Sequence, residues 1–130
     1  MRFTIIVQAD PLRSQAAQSA YEFANAAHRL GYKLETIFFY GSGTYVASAL
    51  TVTPQDETSL HCNWAALAAA ANTKLVVCIA AGLKRGLLDE NEASRYGKLH
   101  HNVVSPFELG GLGQLIESLS LSDRSITFGE

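Results

Sequence analysis

Two hydrophobic patterns alternate along the chain. Continuous runs rich in β-branched and aromatic residues fall at "RFTIIVQ" (2–8), "KLETIFFY" (33–40), "KLVVCIA" (74–80) and "RSITF" (124–128), with a shorter "FEL" at Phe107 to Leu109. Runs of this length between turn residues predict strands, and their continuity predicts burial on both faces. Between them, apolar residues recur at helical spacing. Ala16, Ala17, Ala20, Tyr21, Phe23, Ala24, Ala27 and Leu30 form one stripe; Leu60, Trp64, Leu67, Ala68 and Ala71 form a second; Leu112, Leu115, Ile116 and Leu119 form a third. Each predicts a helix that lays one face on a sheet.

Breakers and caps sit where this alternation needs them. Asp10, Pro11 and Ser14 open the first helix, and Gly31 stands where a helix-terminating glycine belongs. "GSGTYVASALT" predicts a loop and a short helical piece. Pro54, Gln55 and Asp56 make a turn, with Asp56 as expected N-cap of the second helix. "DENEASRYGK" predicts a short helix capped by Asp89, with Glu92 three residues on and Gly97 closing it. Strands alternating with helices imply a mostly parallel sheet covered on both faces. The expected fold is α/β: one domain over residues 1–130, a flavodoxin-like three-layer α/β/α sandwich on a five-stranded sheet. No repeat, low-complexity segment or linker divides it.

Composition narrows the function classes. Hydrophobic residues make up 48% and charged residues 17%, a globular balance. The net charge of −2 and the absence of a basic block argue against direct nucleic-acid binding. No apolar stretch reaches membrane-spanning length. The amino-terminal apolar run is too short for a signal-peptide core, which makes the cytosol the expected compartment. There, Cys62 and Cys78 are expected as thiols, and they do not form a C-x-x-C pair.

In open parallel sheets ligands gather at the carboxyl ends of strands. That rule selects residues 8–14, 40–45, 78–86 and the turn at 110–113. Cys78 ends the third predicted strand. If a helical turn begins near Ala80, its free N–H groups lie near the sulfur and favour negative charge there. Lys84 and Arg85 add positive charge one to two turns on, while Ala80, Ala81 and Gly82 leave room for another chain. On the residues alone, Cys78 is either a nucleophile or a small apolar packing residue, the usual fate of a free cysteine. Cys62, beside His61 on an amphipathic helix, is expected to pack or to be partly exposed. His28 is expected at a surface edge. His100 and His101 are adjacent in a loop, where neighbouring side chains diverge, so no metal site is expected. "GGLG" at 110–113 reads as a tight, closely packed turn before an anion cradle, and "FFYGSGTY" is a weak phosphate-loop candidate.

From end to end the chain resembles the DsrE/TusD-type subunits of bacterial sulfur-relay complexes. The resemblance is carried by "RFTIIV", by "FFY" followed by "GTY", by "VVCIAAGLKRG", "DENEA" and "GLGQLIES", and by "DR" near the end. Two positions depart from the family's pattern: Lys84 where a first of two arginines is frequent, and Thr44 where valine is common. The resemblance implies a DsrE-like fold and makes Cys78 the sulfur carrier, holding sulfane sulfur as a persulfide, with Lys84 and Arg85 as expected supports of the thiolate. It implies no cofactor and no metal. It implies two related small subunits in a heterohexamer, an upstream persulfide donor protein and a downstream small sulfur carrier. It implies no contact with membrane or nucleic acid. The sulfur would pass toward 2-thiolation of a tRNA wobble uridine, the more widespread branch; the other branch serves dissimilatory sulfur oxidation, and the motifs are shared. Three other readings stay beside this one: a flavin- or nucleotide-binding module using residues 40–45 and "GGLG", a structural subunit with an inert Cys78, and a cysteine hydrolase with no nameable base.

Overall fold

The structure is a computed structural model and describes residues 1–129. The apolar runs form five strands: β1 (Arg2–Val7), β2 (Lys33–Phe39), β3 (Lys74–Cys78), β4 (Phe107–Gly110) and β5 (Arg124–Phe128). The helices are α1 (Gln15–Arg29), α2 (Leu60–Ala71), α3 (Ile79–Leu83), α4 (Glu90–Arg95) and α5 (Leu112–Leu121), with a 3₁₀ helix over Gly41–Ala47. All strand pairs are parallel, in the order β4-β3-β2-β1-β5.

This order fixes the layers. From β1 to β4 each connection steps one strand in the same direction. Right-handed crossovers therefore place α1, α2 and the α3–α4 segment on one face. The β4-to-β5 connection returns across the whole sheet, so α5 lies on the other face. On the α1/α2 face, Ile5, Val7, Leu34, Ile37, Phe39, Leu75, Val77 and Phe107 meet the small residues of α1 and Trp64 and Leu67 of α2 in the main core. Trp64 meets Tyr21 and Phe39 edge-on at 5.4 and 5.5 Å between ring centres. Alanine at 17, 20, 24 and 27 lets α1 approach closely.

The α5 face is built differently. Only Ser118 of α5 is buried, while Leu112 and Ile116 stay 53% and 66% exposed. Of the expected apolar stripe, Leu115 packs on the cluster of Phe38, Val76, Cys78 and Ala81, but the stripe as a whole does not carry the packing. A hydroxyl seam does: Thr36 Oγ1 pairs with Ser118 Oγ at 2.6 Å, Thr4 Oγ1 with Ser122 Oγ at 2.5 Å, and Ser122 Oγ donates to the Ser118 carbonyl at 2.7 Å. The reason lies in the strands, which present Thr4 and Thr36 on that face.

Other expectations hold or shift locally. Ser14 caps α1 by accepting from Ala16 N–H, and Gly31 follows it at φ +88°, where a side chain would be strained. Asp89 caps α4 through Glu92 N–H at 2.9 Å. The cap of α2 is Ser59, not Asp56, because the hydroxyl of Ser59 reaches Cys62 N–H at 3.2 Å. The β3 strand stops at Cys78, and Ile79 already belongs to α3.

Candidate functional site

β3 and β4 are neighbours, yet their chains leave the sheet in opposite directions. β3 runs into α3 toward the α1/α2 side; β4 runs into α5 on the far side. Such a divergence opens a crevice at the carboxyl ends of the two strands, the position where open α/β sheets take their ligands. Cys78 is the last residue of β3, and its register partner is Gly110, the last residue of β4. The cysteine therefore stands at the fork itself.

Its surroundings follow from the alternation along β3. Val77 points into the main core, so Val76 and Cys78 face α5. Cys78 is 4% exposed and packs with Phe38, Val76 and Ala81, against Leu115 of α5. It is also the N-cap residue of α3, with φ −56° and ψ 119°, and its side chain makes no capping hydrogen bond. The first amides of α3 thus start beside the sulfur without being consumed by it. The Gln114 side chain and Val76 pack directly on Gly110. A Cβ there would collide with the Gln114 side chain and with Val76 Cγ1. The "GGLG" segment is a close-packed turn at Gly110, followed by Gly111 as N-cap of α5.

The remaining candidates disperse. Arg85 does not reach toward the sulfur. Its Nη1 donates to the Ala81 carbonyl at 3.0 Å, and its guanidinium lies over the Tyr45 ring, 5.8 Å from the centre. Lys84 is exposed. The expected direct support of a thiolate by these two side chains is not what their contacts provide; Arg85 instead braces α3 from the end away from Cys78. His61 is held on the α1/α2 side, with Nδ1 2.8 Å from the Val46 carbonyl and its ring stacked on Phe107 at 4.7 Å. His100 and His101 are exposed, and Cys62 is an exposed free thiol. The residue 40–45 loop is folded in on itself. Thr44 Oγ1 donates to the Gly41 carbonyl at 2.7 Å, and Gly43 packs so tightly on the Val7 carbonyl that a Cβ would overlap it. Those groups are committed to the fold. Of Tyr45, Val46 and Leu50, Val46 is core, whereas Tyr45 and Leu50 are exposed. Among the described residues no helix is long and apolar enough to cross a membrane.

Comparison with known proteins agrees with this arrangement over the whole chain. Residues 1–128 match the model of the DsrE/DsrF-like family. The chain is 41% identical to the DsrE protein of Allochromatium vinosum over the full length of both. It is 43% identical to a sulfurtransferase TusD homolog of Pseudomonas aeruginosa, covering 99% of this chain and 98% of that one. A sulfurtransferase TusD homolog of Vibrio vulnificus is 40% identical over 98% of each. The crystal structure of the ychN protein from E. coli shares the fold, with a TM-score of 0.77 over 98% of this chain and 99% of that one, at 15% identity.

Proposed function

The chain belongs to the DsrE/DsrF-like family, and from that premise we propose that it is a sulfurtransferase subunit carrying sulfane sulfur as a persulfide on Cys78. The observation that supports this most is the place of Cys78 at the fork between β3 and β4, at the start of α3.

The chemistry needs no second group on this chain. The Cys78 thiolate attacks the outer sulfur of a donor persulfide, R–S–SH. The donor S–S bond breaks, R–S⁻ leaves, and the outer sulfur with its proton becomes the terminus of Cys78–S–SH. An acceptor thiolate then attacks that terminal sulfur and regenerates the Cys78 thiolate. Both steps exchange one S–S bond for another, so no external oxidant or reductant enters. A single cysteine suffices for this two-step transfer. Because Cys78 is almost wholly covered, the donor and acceptor thiols approach through the crevice between α3 and the start of α5, where Ala80 and Gly111 are exposed. The backbone amides at the start of α3 favour the anionic sulfur that appears in each step.

In this reading the protein works in the cytosol with two related small subunits, an upstream persulfide donor and a downstream small carrier, and the sulfur is destined for the 2-thio group of a tRNA wobble uridine. The TusD homologs among its relatives favour that branch, and the DsrE relative favours sulfur oxidation as the second reading. Deleting the gene and measuring 2-thiouridine in bulk tRNA separates them. Loss of 2-thiouridine, restored by the wild-type gene and not by Cys78→Ala, is the expected result. Unchanged 2-thiouridine in the deletion would assign the protein to the other branch.

A further inference from the structure

A cavity of about 500 Å³ opens on the α1/α2 side, between the loop after β1, the segment 45–61 and the loop after α3. Cys78 does not line it. The cysteine packs toward α5, whereas the cavity wall includes Val46 and Leu87 of the main core. Sulfur transfer as described above therefore leaves this space unused. Its size is that of a small-molecule pocket.

The lining has an amphipathic character. Val46, Leu60 and Leu87 give an apolar wall, and Leu12 and Val52, both exposed, stand at its rim. The charge set into it is the half-buried Arg85. A guanidinium carries five N–H donors. One nitrogen of Arg85 donates to the Ala81 carbonyl, and the Tyr45 ring covers one face of the group. Among the described residues no carboxylate lies within ion-pair distance of it, since the ion pairs are Arg2–Glu35 and Arg95–Glu92. The acid on the lining, Glu57, is exposed. Arg85 is thus held in place by one hydrogen bond and one ring, lines the cavity, and has no acid paired with it among the described residues. His61 also lines the space, fixed by its Nδ1 contact to the Val46 carbonyl.

We propose that this cavity is a binding site for a small organic monocarboxylate with an apolar body. The carboxylate pairs with the free edge of Arg85, a geometry that guanidinium and carboxylate share. The apolar body lies on Val46, Leu60 and Leu87. Glu57 lies on the same lining and is exposed, and its charge opposes a dianion more than a monoanion.

Titrating the isotope-labelled full chain with benzoate, benzamide and inorganic phosphate, followed by NMR, tests this. Benzoate is expected to shift the resonances of Tyr45, Val46, His61, Arg85 and Leu87 saturably. Benzamide, of the same shape without the charge, is expected to bind about tenfold more weakly, the difference between a charged and a neutral hydrogen-bonded pair. Phosphate is expected to bind more weakly than benzoate. Arg85→Gln should abolish the preference for benzoate over benzamide, and Arg85→Lys should retain part of it. If Arg85→Gln does not fold, the wild-type comparison decides alone. Equal binding of benzoate and benzamide, phosphate binding as tight as benzoate, or the absence of saturable shifts at these residues would each overturn the proposal.

Discussion

The two faces of the sheet are made on different principles. The α1/α2 face is a continuous apolar core, with aromatic rings meeting edge to face and alanines seating the helix. The α5 face has an apolar cluster of Phe38, Val76, Cys78 and Ala81 and, beyond it, a seam of threonine and serine hydroxyls. Burying a large apolar side chain contributes about 1.5–3 kcal/mol, whereas a hydroxyl pair contributes about 1 kcal/mol net. The first face therefore carries the greater share of the stability. The second face can open locally at lower cost, because the last regions to open are those with the densest apolar packing. Cys78 sits on the face that can give way.

Substitutions on the α1/α2 face are expected to cost the most. Trp64→Ala removes the side chain that bridges Tyr21 and Phe39, and is expected to cost about 3–5 kcal/mol. Urea unfolding reads it as a lowered midpoint; a cost below about 1 kcal/mol would mean that the two faces share the stability evenly. On the α5 face, Gly110→Ala forces Gln114 and Val76 aside, for an expected loss of about 1–3 kcal/mol. It should also slow alkylation of Cys78 by iodoacetamide, because the crevice wall moves; an unchanged rate at reduced stability would separate Gly110 from the site. Thr36→Val leaves the Ser118 hydroxyl without its strand partner and is expected to cost about 1–2 kcal/mol. The double variant Thr36→Val/Ser118→Ala should recover most of that loss, since no buried hydroxyl is then stranded. A double variant worse than either single would show that the seam stabilises more than this account allows. Smallest of all, Cys62→Ser on the exposed side of α2 should change stability by less than about 0.5 kcal/mol and leave Cys78 alkylation unaltered.

The strands were legible because buried parallel strands are written as continuous apolar runs, and α1 because its small residues recur on one face. The layers were less so. Nothing in a helical stripe tells whether the sheet beneath offers leucine or threonine, so the exposure of Leu112 and Ile116 follows only once Thr4 and Thr36 are known to face α5. The end of β3 was blurred for a related reason. Five residues of α3 are too few to show a helical period, and Ile79 continues the apolar run of the strand. Cys78 stands out in the sequence by its place at a strand end. The fork that distinguishes that place was invisible, because it depends on β4 lying beside β3 and on α5 crossing to the opposite face. The direction of Arg85 was equally hidden. One residue beyond Lys84, it turns to the Ala81 carbonyl and Tyr45, a choice made by tertiary contacts and not by spacing.

Intact-mass analysis after incubation with a persulfide-loaded cysteine desulfurase reads whether Cys78 carries the sulfur. A gain of about 32 Da, one sulfur atom, removed by reductant, present in the wild type and in Cys62→Ser and absent in Cys78→Ala, is the predicted result. An adduct that survives in Cys78→Ala, or none on the wild type even with its partner subunits present, would contradict that carrier role and return Cys78 to the packing of the α5 face.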